Sequence, residues 1–553
     1  MARSKARVYT CCALLLLCLV AIIVCIAVFV RRKCPGDTFS NAAVAADSGK
    51  CSEIGRDILQ RGGSAVDGAI AALLCTSIMN PQSMGIGGGS IFTVMDSSGK
   101  VKVINSRETA PTKMKPDLLK LCGQPLQMTE EGSQWIGVPG EIRGYEEAHR
   151  LYGKLPWATL FQPTIQLARK GFPVPPIQGR YVAHIDANKT RSLGKLFSDK
   201  NGNLLKVGDT VKFEKLADTL ELIANHGADA FYTGRIAEDL IREIQEAGGT
   251  LTLQDLASYR ATVTDAWAVP LGEYQMYIPP PPAGGIILSL ILNIMKGYHL
   301  SSTSLTGEQK KLVYHYYVEA FKFANGLKKH IRDPQFNSEE MPQKFKKDSF
   351  ANHIRSLISS DKTHDPQYYN ITPHLDSMGT THVSVLAEDG SAVSVTSTIN
   401  YIFGSKIFSP STGVILNNQL SDFCGRVERI NPGERPPSSM APAVLKSQLK
   451  TLVIGSTGGS MITTGIASTL MNHLWFGKSL KEAIATPVVF VDSKNAVKFE
   501  PGFDKDVIEA LKALGHNQQT GQKFYNVVNA VEKEGGCICA VSDARKLGKA
   551  AGY

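Results

Sequence analysis

The spacing of hydrophobic residues changes along the chain between the roughly 3.6-residue period of helices and the two-residue period of strands. Helical spacing runs through residues 51–79, where Gly62-Gly63 splits it into two helices and Ser64 is the expected N-cap of the second. Alternation follows in "SIFTVMDSSGKVKVINSRE", which predicts a hairpin that ends just before Arg107. Strand ends often hold functional side chains, so Arg107 is a candidate site residue.

Helical spacing dominates between about residues 140 and 260 and again at 286–296 and 311–326. From 327 to 377 the sequence is polar and loses its periodicity, which predicts an exposed connection. The last third is strand-rich with alternating helices. We therefore predict a mixed α and β fold with layered packing, although the length of 553 residues alone would suggest two or three domains.

An uncharged run at residues 10–30 stands apart from this mixed pattern. As a helix it would span about 30 Å, the hydrocarbon thickness of a bilayer. A cleaved signal peptide is the alternative, but the run is longer than a usual signal core, and Arg31-Arg32-Lys33 follows it where small residues would be expected. We predict a transmembrane anchor at residues 10–30, behind a cytoplasmic tail of residues 1–9.

The orientation of this anchor is predicted from features further along the chain, because basic residues flank the run on both sides. Asn188 and Asn370 each begin an N-glycosylation pattern. Cys51 and Cys75 flank a helical stretch in which a disulfide could join two helices. Both features favour a single-pass type II protein of the cell membrane with an extracellular body.

The 11 cysteines predict no metal site. Four lie in the apolar run, where they are interpreted as small hydrophobic residues, with palmitoylation as the alternative. The short gap between Cys537 and Cys539 lacks the second ligand pair that a metal site needs. No spacing forces a pairing among five further cysteines: Cys34, Cys122, Cys424, Cys537 and Cys539.

Neither the net charge nor the glycine-rich segment indicates a nucleic acid or a nucleotide cofactor. The formal charge of +10 includes six basic residues beside the apolar run, and the basic clusters lack an aromatic platform. The segment "GIGGGS", residues 85–90, follows a helix and leads into a strand, which is the reverse of the order that binds phosphates. Close backbone packing is the better interpretation of its glycines, and we expect no cofactor.

The sequence contains neither the H-E-x-x-H motif of metalloproteases nor the G-x-S-x-G nucleophile elbow. The segment "GSTGG" at residues 455–459 follows a predicted strand and precedes a helix. It is either an ordinary turn or a pair of backbone N–H groups, at Gly458 and Gly459, that can stabilise an oxyanion.

Hydroxyl and amide groups crowd the open end of a predicted hairpin at residues 380–400. A two-residue turn would place Thr380 opposite Ile399, and a three-residue loop would place it opposite Asn400. Either register brings Thr398 and Asn400 close to Thr380. Plain hydrogen bonding and catalysis are both open interpretations of this cluster.

The motifs of the chain together resemble those of the gamma-glutamyltransferases, N-terminal nucleophile hydrolases that attack with a threonine freed by self-cleavage. The similarity extends from "AAVAADSGKCSEIGRDIL" to "SDARKLGKAAGY" and is carried by "SMGIGGG", "VINSRETAP", "GVPGEIRGYEEAH", "GTTHVSV", "STIN", "PPSSM" and "STGG". The segments "CTSIMNPQSMG", "QWIGVPGE", "IPPPPAGG" and "GERPPSSM" narrow the resemblance to one branch of the family. The family implies an α/β (α+β) fold, the four-layer αββα sandwich.

The resemblance implies scission between Gly379 and Thr380. It gives a large anchored subunit of residues 1–379, whose extracellular part is residues 31–379, and a small subunit of residues 380–553. The two remain associated as a heterodimer. A threonine with a free α-amino group carries its own general base. Before the cut, its hydroxyl would attack the Gly379 carbonyl in an N-to-O acyl shift, and glycine suits the backbone distortion that this step requires.

The resemblance also assigns roles to the candidate residues. Thr380 would attack the γ-carbonyl of a γ-glutamyl donor, Thr398 would hydrogen-bond this nucleophile, and the amides of Gly458 and Gly459 would hold the oxyanion. The other matched residues would bind the glutamyl zwitterion: Arg107, Ser438 and Ser439 its α-carboxylate, and Asn400, Gln419 and Asp422 its ammonium.

Gln419 departs from the family pattern, because close relatives often have glutamate at this position. An amide oxygen can accept a hydrogen bond from an ammonium but adds no charge. The sequence therefore predicts weaker donor binding with the chemistry retained.

The substrates that the resemblance implies are glutathione, glutathione S-conjugates and leukotriene C4, which would give leukotriene D4. Water, amino acids or dipeptides would accept the glutamyl group. The short region 422–438 would leave the cavity mouth open to bulky conjugates. The alternative hypothesis is a membrane-anchored binding ectodomain of the same fold that is unprocessed or catalytically weak.

Overall fold

A computed structural model of the chain describes residues 18–20, 36–122, 132–186, 190–371, 379–519 and 526–553. Two antiparallel β-sheets lie face to face at its centre, and helices cover the outer face of each sheet. This order of helix, sheet, sheet and helix agrees with the four-layer sandwich expected from the sequence.

The first sheet has seven strands. Phe92 and Val385 are among the side chains that face the outer helices, whereas the alternate residues Ala45 and Leu386 face the second sheet. From edge to edge, its strands are Ala551–Gly552, Ala43–Ala45, Thr381–Leu386, Ala392–Thr398, Gly89–Met95, Val101–Asn105 and Thr262–Asp265.

The second sheet has six strands, and Val453 and Val531 on it meet the apolar residues of the first sheet in the space between the two. From edge to edge, its strands are Cys537–Val541, Val527–Glu534, Lys450–Thr457, Ala443–Lys446, Tyr274–Ile278 and Trp267–Leu271. Two small sheets pair Val489–Val491 with Val497–Phe499 and Phe172–Pro173 with Thr210–Val211.

The helices form two outer layers, each with its own apolar core. The first sheet is covered by Gly49–Gln60, Ala65–Met79, Glu141–Tyr152, Trp157–Lys170, Pro176–Val182, Arg191–Leu196, Glu214–His226, Asp229–Tyr232, Gly234–Glu246 and Leu253–Ser258. The second sheet is covered by Gly285–Lys296, Gly307–Leu327, Glu340–Phe345, Asp348–Leu357, Ile462–Leu470, Leu480–Ala485 and Lys505–Ala513.

Short helical turns connect these elements. Gln419–Phe423 and Gly459–Met461 are 3₁₀ turns beside the site described below. The others are Leu118–Leu121, Ser133–Trp135, Ser302–Leu305, Lys328–His330 and Ala544–Lys546, together with the π turn Met471–Trp475.

The parts of the chain before and after residue 379 are interleaved in both sheets. The strands Thr381–Leu386 and Ala392–Thr398 lie between Ala43–Ala45 and Gly89–Met95, which come from the other part. Neither part can complete a sheet by itself. The two parts of the chain therefore share both sheets.

The first two helices confirm the predictions made from their spacing. Ser64 caps Ala65–Met79 in a capping box, because its hydroxyl accepts from the Asp67 amide at 3.1 Å while the Asp67 carboxylate accepts from the Ser64 amide at 2.9 Å. The predicted Cys51–Cys75 disulfide joins this helix to its predecessor, with the Cα atoms 5.3 Å apart.

Two predictions from periodicity are wrong. In the hairpin, His382 pairs with Thr396 and Thr381 with Ser397, which is neither of the two expected registers, because the strands close around residues 388–390. The region after residue 327 was expected to be an irregular connection, yet it contains the helices Glu340–Phe345 and Asp348–Leu357. These helices are too short for the windows in which helical spacing is clear.

Most of the predicted anchor, residues 10–30, and the glycosylation candidate Asn188 lie outside the described residues. Among the residues that the structure describes, no helix combines the length and the apolar character needed to cross a membrane. Asn370, the second glycosylation candidate, is exposed and has a φ of +58°.

Candidate active site

One cavity of about 170 Å³ gathers nine of the ten residues to which catalysis or substrate binding was assigned. Gly458 is not in its lining, but the adjacent Gly459 is. The nine residues are Arg107, Thr380, Thr398, Asn400, Gln419, Asp422, Ser438, Ser439 and Gly459.

The hydroxyl of Thr380 is fixed by the hairpin that follows it. The observed register continues the pairing so that Thr398 lies opposite Thr380, and Thr380 Oγ1 donates to Thr398 Oγ1 at 3.2 Å. Thr398 Oγ1 also accepts from the Asn400 amide at 2.8 Å. Because both threonines are buried, Thr398 holds the rotamer of Thr380 toward the cavity.

The backbone around the predicted cut is unusual. Thr380 has a φ of +136°, a region that β-branched residues rarely adopt and that costs on the order of 1–3 kcal/mol. The Gly379 amide donates to the Asn400 carbonyl at 2.9 Å, and a Cβ atom on Gly379 would lie 2.1 Å from that oxygen. The sequence requires glycine here because of this close approach, whereas the unusual dihedral belongs to the threonine.

A buried ion pair between Lys546 and Asp47 contacts the backbone carbonyl of Thr380. Lys546 Nζ donates to the Thr380 carbonyl at 2.5 Å and to Asp47 Oδ2 at 2.9 Å. The same Asp47 oxygen accepts from Thr381 Oγ1 at 2.7 Å. The carboxylate therefore offsets the buried charge of Lys546, and the pair fixes the chain on the C-terminal side of the predicted cut.

His382 is two residues from Thr380 but is not available as its general base. Its Nδ1 lies 2.9 Å from Thr396 Oγ1 and its Nε2 lies 2.9 Å from Ser384 Oγ, so both ring nitrogens are engaged. Burial between the sheets lowers the pKa of His382 to about 3, which keeps the ring neutral. This arrangement agrees with a nucleophile that does not rely on histidine.

Arg107 lines the cavity and carries a buried donor atom. Its Nε donates to the Pro436 carbonyl at 2.7 Å, and its Nη2 donates to the Pro437 carbonyl at 2.7 Å and to Asp422 Oδ2 at 2.6 Å. Its Nη1 is buried without a hydrogen-bond partner. An unpaired buried guanidinium nitrogen is costly, so the site suits a ligand carboxylate that would pair with it.

The lining of the cavity also contains an unpaired acceptor, on the 3₁₀ turn Gln419–Phe423. Asp422 accepts from Arg107 and from Asn400 Nδ2, and Gln419 Nε2 donates to Asp422 Oδ2 at 2.7 Å. This bond orients the Gln419 amide, because a carboxylate only accepts. Gln419 Oε1 is buried without a partner, and it can accept a hydrogen bond from a ligand ammonium.

Gly458 and Gly459 end the central strand Lys450–Thr457 of the second sheet and begin a 3₁₀ turn. Their φ values of +107° and +59° are open to glycine and strained for other residues. Consecutive residues in such turns can direct backbone N–H groups toward a common anion. Their assignment as oxyanion donors stays a prediction.

Comparison with known proteins agrees with this geometry. A sequence profile described as gamma-glutamyltranspeptidase matches residues 51–553. The chain belongs to the gamma-glutamyltranspeptidase family. As the sequence predicted, it is an enzyme of the gamma-glutamyltransferase class.

Two similar members of the family are named Glutathione hydrolase 5 proenzyme. The Rattus norvegicus protein is 46% identical over 543 residues and the Homo sapiens protein is 46% identical over 557 residues. Each alignment covers 95% of this chain and 94% of the relative. This is the branch of the family that the four additional segments indicated.

Solved structures agree with the family fold. Cephalosporin acylase from Bacillus halodurans superposes with a TM-score of 0.82 at 26% identity, over 93% of this chain and 96% of that one. Gamma-glutamyltranspeptidase from Helicobacter pylori gives a TM-score of 0.55 at 26% identity, over 61% of this chain and 95% of that one.

The glycine-rich loop of this family member packs closely, as predicted. A Cβ atom on Gly87 would lie 2.2 Å from the Ile415 carbonyl, and one on Gly88 would lie 2.2 Å from the carbonyl of Thr398. The loop therefore passes directly behind the hydrogen-bonding partner of Thr380. This role explains Gly87 and Gly88 without a phosphate ligand.

Two buried acids, Glu108 and Glu141, were not predicted from the sequence. Burial raises the pKa of Glu108 to about 8 against the lowering effect of Arg107, and burial raises the pKa of Glu141 to about 7. The carboxylate oxygens of Glu108 lack a side-chain hydrogen-bond partner, whereas the hydroxyls of Tyr145, Ser397 and Ser90 lower the pKa of Glu141 in part. The positions of the two acids after a predicted strand and in "GVPGEIRG" gave no sign that either side chain would be buried.

Sequence analysis also missed a buried group with the composition of a metal site. In the described part of the chain, ligand atoms of His315, Glu319 and His516 lie within 4.8 Å of one another. His315 Nδ1 is 2.8 Å from His516 Nε2, and Lys322 Nζ is 2.9 Å from His516 Nδ1 and 3.6 Å from Glu319. The Lys322 ammonium already supplies the positive charge that a metal ion would supply here. We therefore interpret the group as a hydrogen-bonded cluster.

Proposed function

We propose that the protein cleaves the γ-glutamyl bond of glutathione and passes the glutamyl group to water or to an amino-acid or dipeptide acceptor. The observation that carries this proposal is the cavity itself, where an unpaired buried donor on Arg107 and an unpaired buried acceptor on Gln419 accompany the hydroxyl of Thr380. A glutamyl group carries both a carboxylate and an ammonium and matches the two atoms. The names of the Glutathione hydrolase 5 relatives support glutathione as the donor.

The chemistry begins with attack of Thr380 Oγ1 on the γ-carbonyl of the donor. The free α-amino group of Thr380 takes the hydroxyl proton and returns a proton to the leaving amine, and the amides of Gly458 and Gly459 hold the oxyanion. Water or an acceptor amine then attacks the γ-glutamyl ester, which releases the product and restores the threonine. Thr398 fixes the nucleophile by its 3.2 Å hydrogen bond.

This chemistry requires cleavage between Gly379 and Thr380, which leaves residues 1–379, with residues 31–379 outside the membrane, and residues 380–553 as associated subunits. The word proenzyme in the names of the relatives supports such processing. The strained φ of Thr380 supports it as well, because cleavage of the bond would release the strain. The interleaved strands explain how the two products would stay together.

We further propose that the donors include glutathione S-conjugates and leukotriene C4, and that the enzyme is a glycosylated ectoenzyme anchored by residues 10–30. The shortness of the region 422–438, which is expected to leave the cavity mouth open, supports bulky donors. The described disulfides support an oxidising compartment outside the cell.

Expression of the full chain in animal cells tests the proposal against a binding ectodomain of the same fold. The enzyme should yield a fragment that begins at Thr380 on a reducing, denaturing gel. It should also release glutamate from glutathione and convert leukotriene C4 to leukotriene D4. Thr380→Ala should stay uncut and inactive. An uncut parent chain would favour the binding ectodomain, and activity of Thr380→Ala equal to the parent would remove Thr380 from its proposed role.

A further inference from the structure

A second disulfide, Cys122–Cys424, joins residues 302 positions apart in the sequence. Cys122 follows the 3₁₀ turn Leu118–Leu121, and Cys424 follows the turn Gln419–Phe423. The proposed cut between residues 379 and 380 lies between the two cysteines. The bond would therefore connect the large and small subunits covalently after processing.

The disulfide belongs to a small apolar cluster that is separate from the main cores. We name this cluster the rim cluster; its buried members are Ala110, Leu118, Trp135, Leu420, Phe423 and Ile430. Cys122 and Cys424 pack against it. Because the rim cluster is small, its packing alone holds the two segments less firmly than the packing of the large cores would.

The rim cluster supports the wall of the donor cavity. Gln419 and Asp422 lie on the turn that Leu420 and Phe423 anchor in the cluster, and Cys424 is two residues beyond Asp422 and also lines the cavity. A shift of this turn would move the acceptor atoms that meet the donor ammonium. Thr380 is held separately, by Thr398 and Lys546.

Other contacts hold the far part of the same segment. Arg426 donates to Glu434 at 2.6 Å, and Glu428 accepts from Arg332 at 3.0 Å. The Ala110 amide donates to the Glu434 carbonyl at 2.9 Å. These contacts involve residues 426–434, so the disulfide is the covalent restraint next to Asp422.

We propose that Cys122–Cys424 is an inter-subunit cross-link that positions Gln419 and Asp422 for donor binding. This inference rests on the proposed cleavage. Loss of the bond should raise KM for γ-glutamyl donors about tenfold through misplacement of the ammonium site, while kcat changes less than about twofold because the restraints on Thr380 remain.

The test compares the processed enzyme with the double variant Cys122→Ser/Cys424→Ser and with the control Cys539→Ser, which removes a free cysteine. Digestion without reductant and mass spectrometry should identify a peptide pair joined through Cys122 and Cys424. Peptide mapping is needed because Cys537 is also disulfide-bonded and could by itself join fragments on a gel. Kinetics with a chromogenic γ-glutamyl anilide should show the KM increase in the double variant only.

Three results would overturn different parts of the reasoning. A single full-length band after reduction would refute the cleavage on which the cross-link depends. Cut enzyme without the Cys122–Cys424 peptide pair would refute the cross-link alone. Cross-linked enzyme whose double variant keeps the parent KM would refute the positioning role. If the double variant does not fold, partial reduction of the parent enzyme with dithiothreitol serves instead. KM should then rise in proportion to the loss of the Cys122–Cys424 peptide pair. An unchanged KM after loss of this pair would again refute the positioning role.

Discussion

Replacing Gln419 by glutamate tests how the cavity holds the donor ammonium. Gln419 Nε2 now donates to Asp422 Oδ2 at 2.7 Å, and Gln419 Oε1 is buried without a partner. Glutamate has no donor, so Gln419→Glu loses the bond to Asp422 and places a second carboxylate beside the first. It also gives the ammonium a charged acceptor.

Two opposing effects set the result. A charge-assisted hydrogen bond is stronger than a neutral one by about 1 kcal/mol, which would lower KM about fivefold. Repulsion from Asp422 opposes ionisation of the introduced carboxyl in the empty cavity, although Arg107 Nη2, 2.6 Å from Asp422 Oδ2, offsets part of this repulsion. A bound ammonium lies against both carboxylates, so we expect the gain to dominate near pH 8 and to shrink toward pH 5.

The assay is initial-rate release of a chromogenic aniline from its γ-glutamyl derivative at pH 5 to 8. Gln419→Glu should lower KM about fivefold at pH 8 with kcat nearly unchanged, and the difference from the parent should narrow as pH falls. Gln254→Glu makes the same charge change at an exposed position outside the cavity and should leave KM at the parent value. An unchanged or higher KM for Gln419→Glu at pH 8 would refute the reasoning.

Three further predictions follow from contacts in the same site. Thr398→Val removes the acceptor of the nucleophile's hydrogen bond and should lower kcat about 10- to 100-fold, and Thr398→Ser should recover part of this loss. Equal kcat values for the parent and both variants in a steady-state assay would contradict this role. Gly379→Ala should slow the appearance of the cut subunits on a gel at least about tenfold, because its Cβ would lie 2.1 Å from the Asn400 carbonyl. The control Gly85→Ala, whose Cβ would meet no atom within 4 Å, should process normally. Equal rates of cutting in the two variants would refute the steric argument. Glu108 has a folded pKa of about 8, above its ordinary 4.5, so its contribution to stability is present below about pH 4.5 and is lost as pH rises through about 8. Urea denaturation should therefore show the free energy of unfolding of Glu108→Gln gaining a few kcal/mol on that of the parent between pH 5 and 8. Parallel curves of unfolding free energy against pH for the two proteins would contradict this.

Part of the cavity could be predicted from local patterns, whereas Gln419, Asp422, Ser438 and Ser439 were assigned only through the resemblance to the family. The cluster of Thr380, Thr398 and Asn400 was visible from hairpin geometry before its register was known. Close approach in either expected register was enough, and the observed register keeps it. The turn carrying Gly458 and Gly459 was similarly visible from the change of strand to helix.

The supports of the site could not be predicted from the same patterns, because they join distant parts of the chain. Asp47 and Lys546 come from opposite ends of the body, and charged residues in loops usually face solvent. Cys122 and Cys424 are 302 residues apart with no constraining motif. Such pairs depend on which strands become neighbours, and hydrophobic spacing does not specify that order.

The backbone conformation at the predicted cut also differs from the expectation. Glycine at position 379 was expected to provide unusual dihedral angles, but the structure places the positive φ on Thr380. What excludes a side chain at Gly379 is the Asn400 carbonyl. A close approach between segments cannot be inferred from the composition of either one.

Intact mass spectrometry of the small subunit tests the central claim most directly. Processed enzyme is mixed with a γ-glutamyl donor and quenched in acid during turnover, and the fragment beginning at Thr380 is weighed and sequenced. We predict a fraction heavier by one glutamyl group, with the added mass on Thr380 and lost on further incubation without donor. A fully active enzyme whose glutamyl mass lies on another residue, or whose chain is uncut at Thr380, would contradict the account.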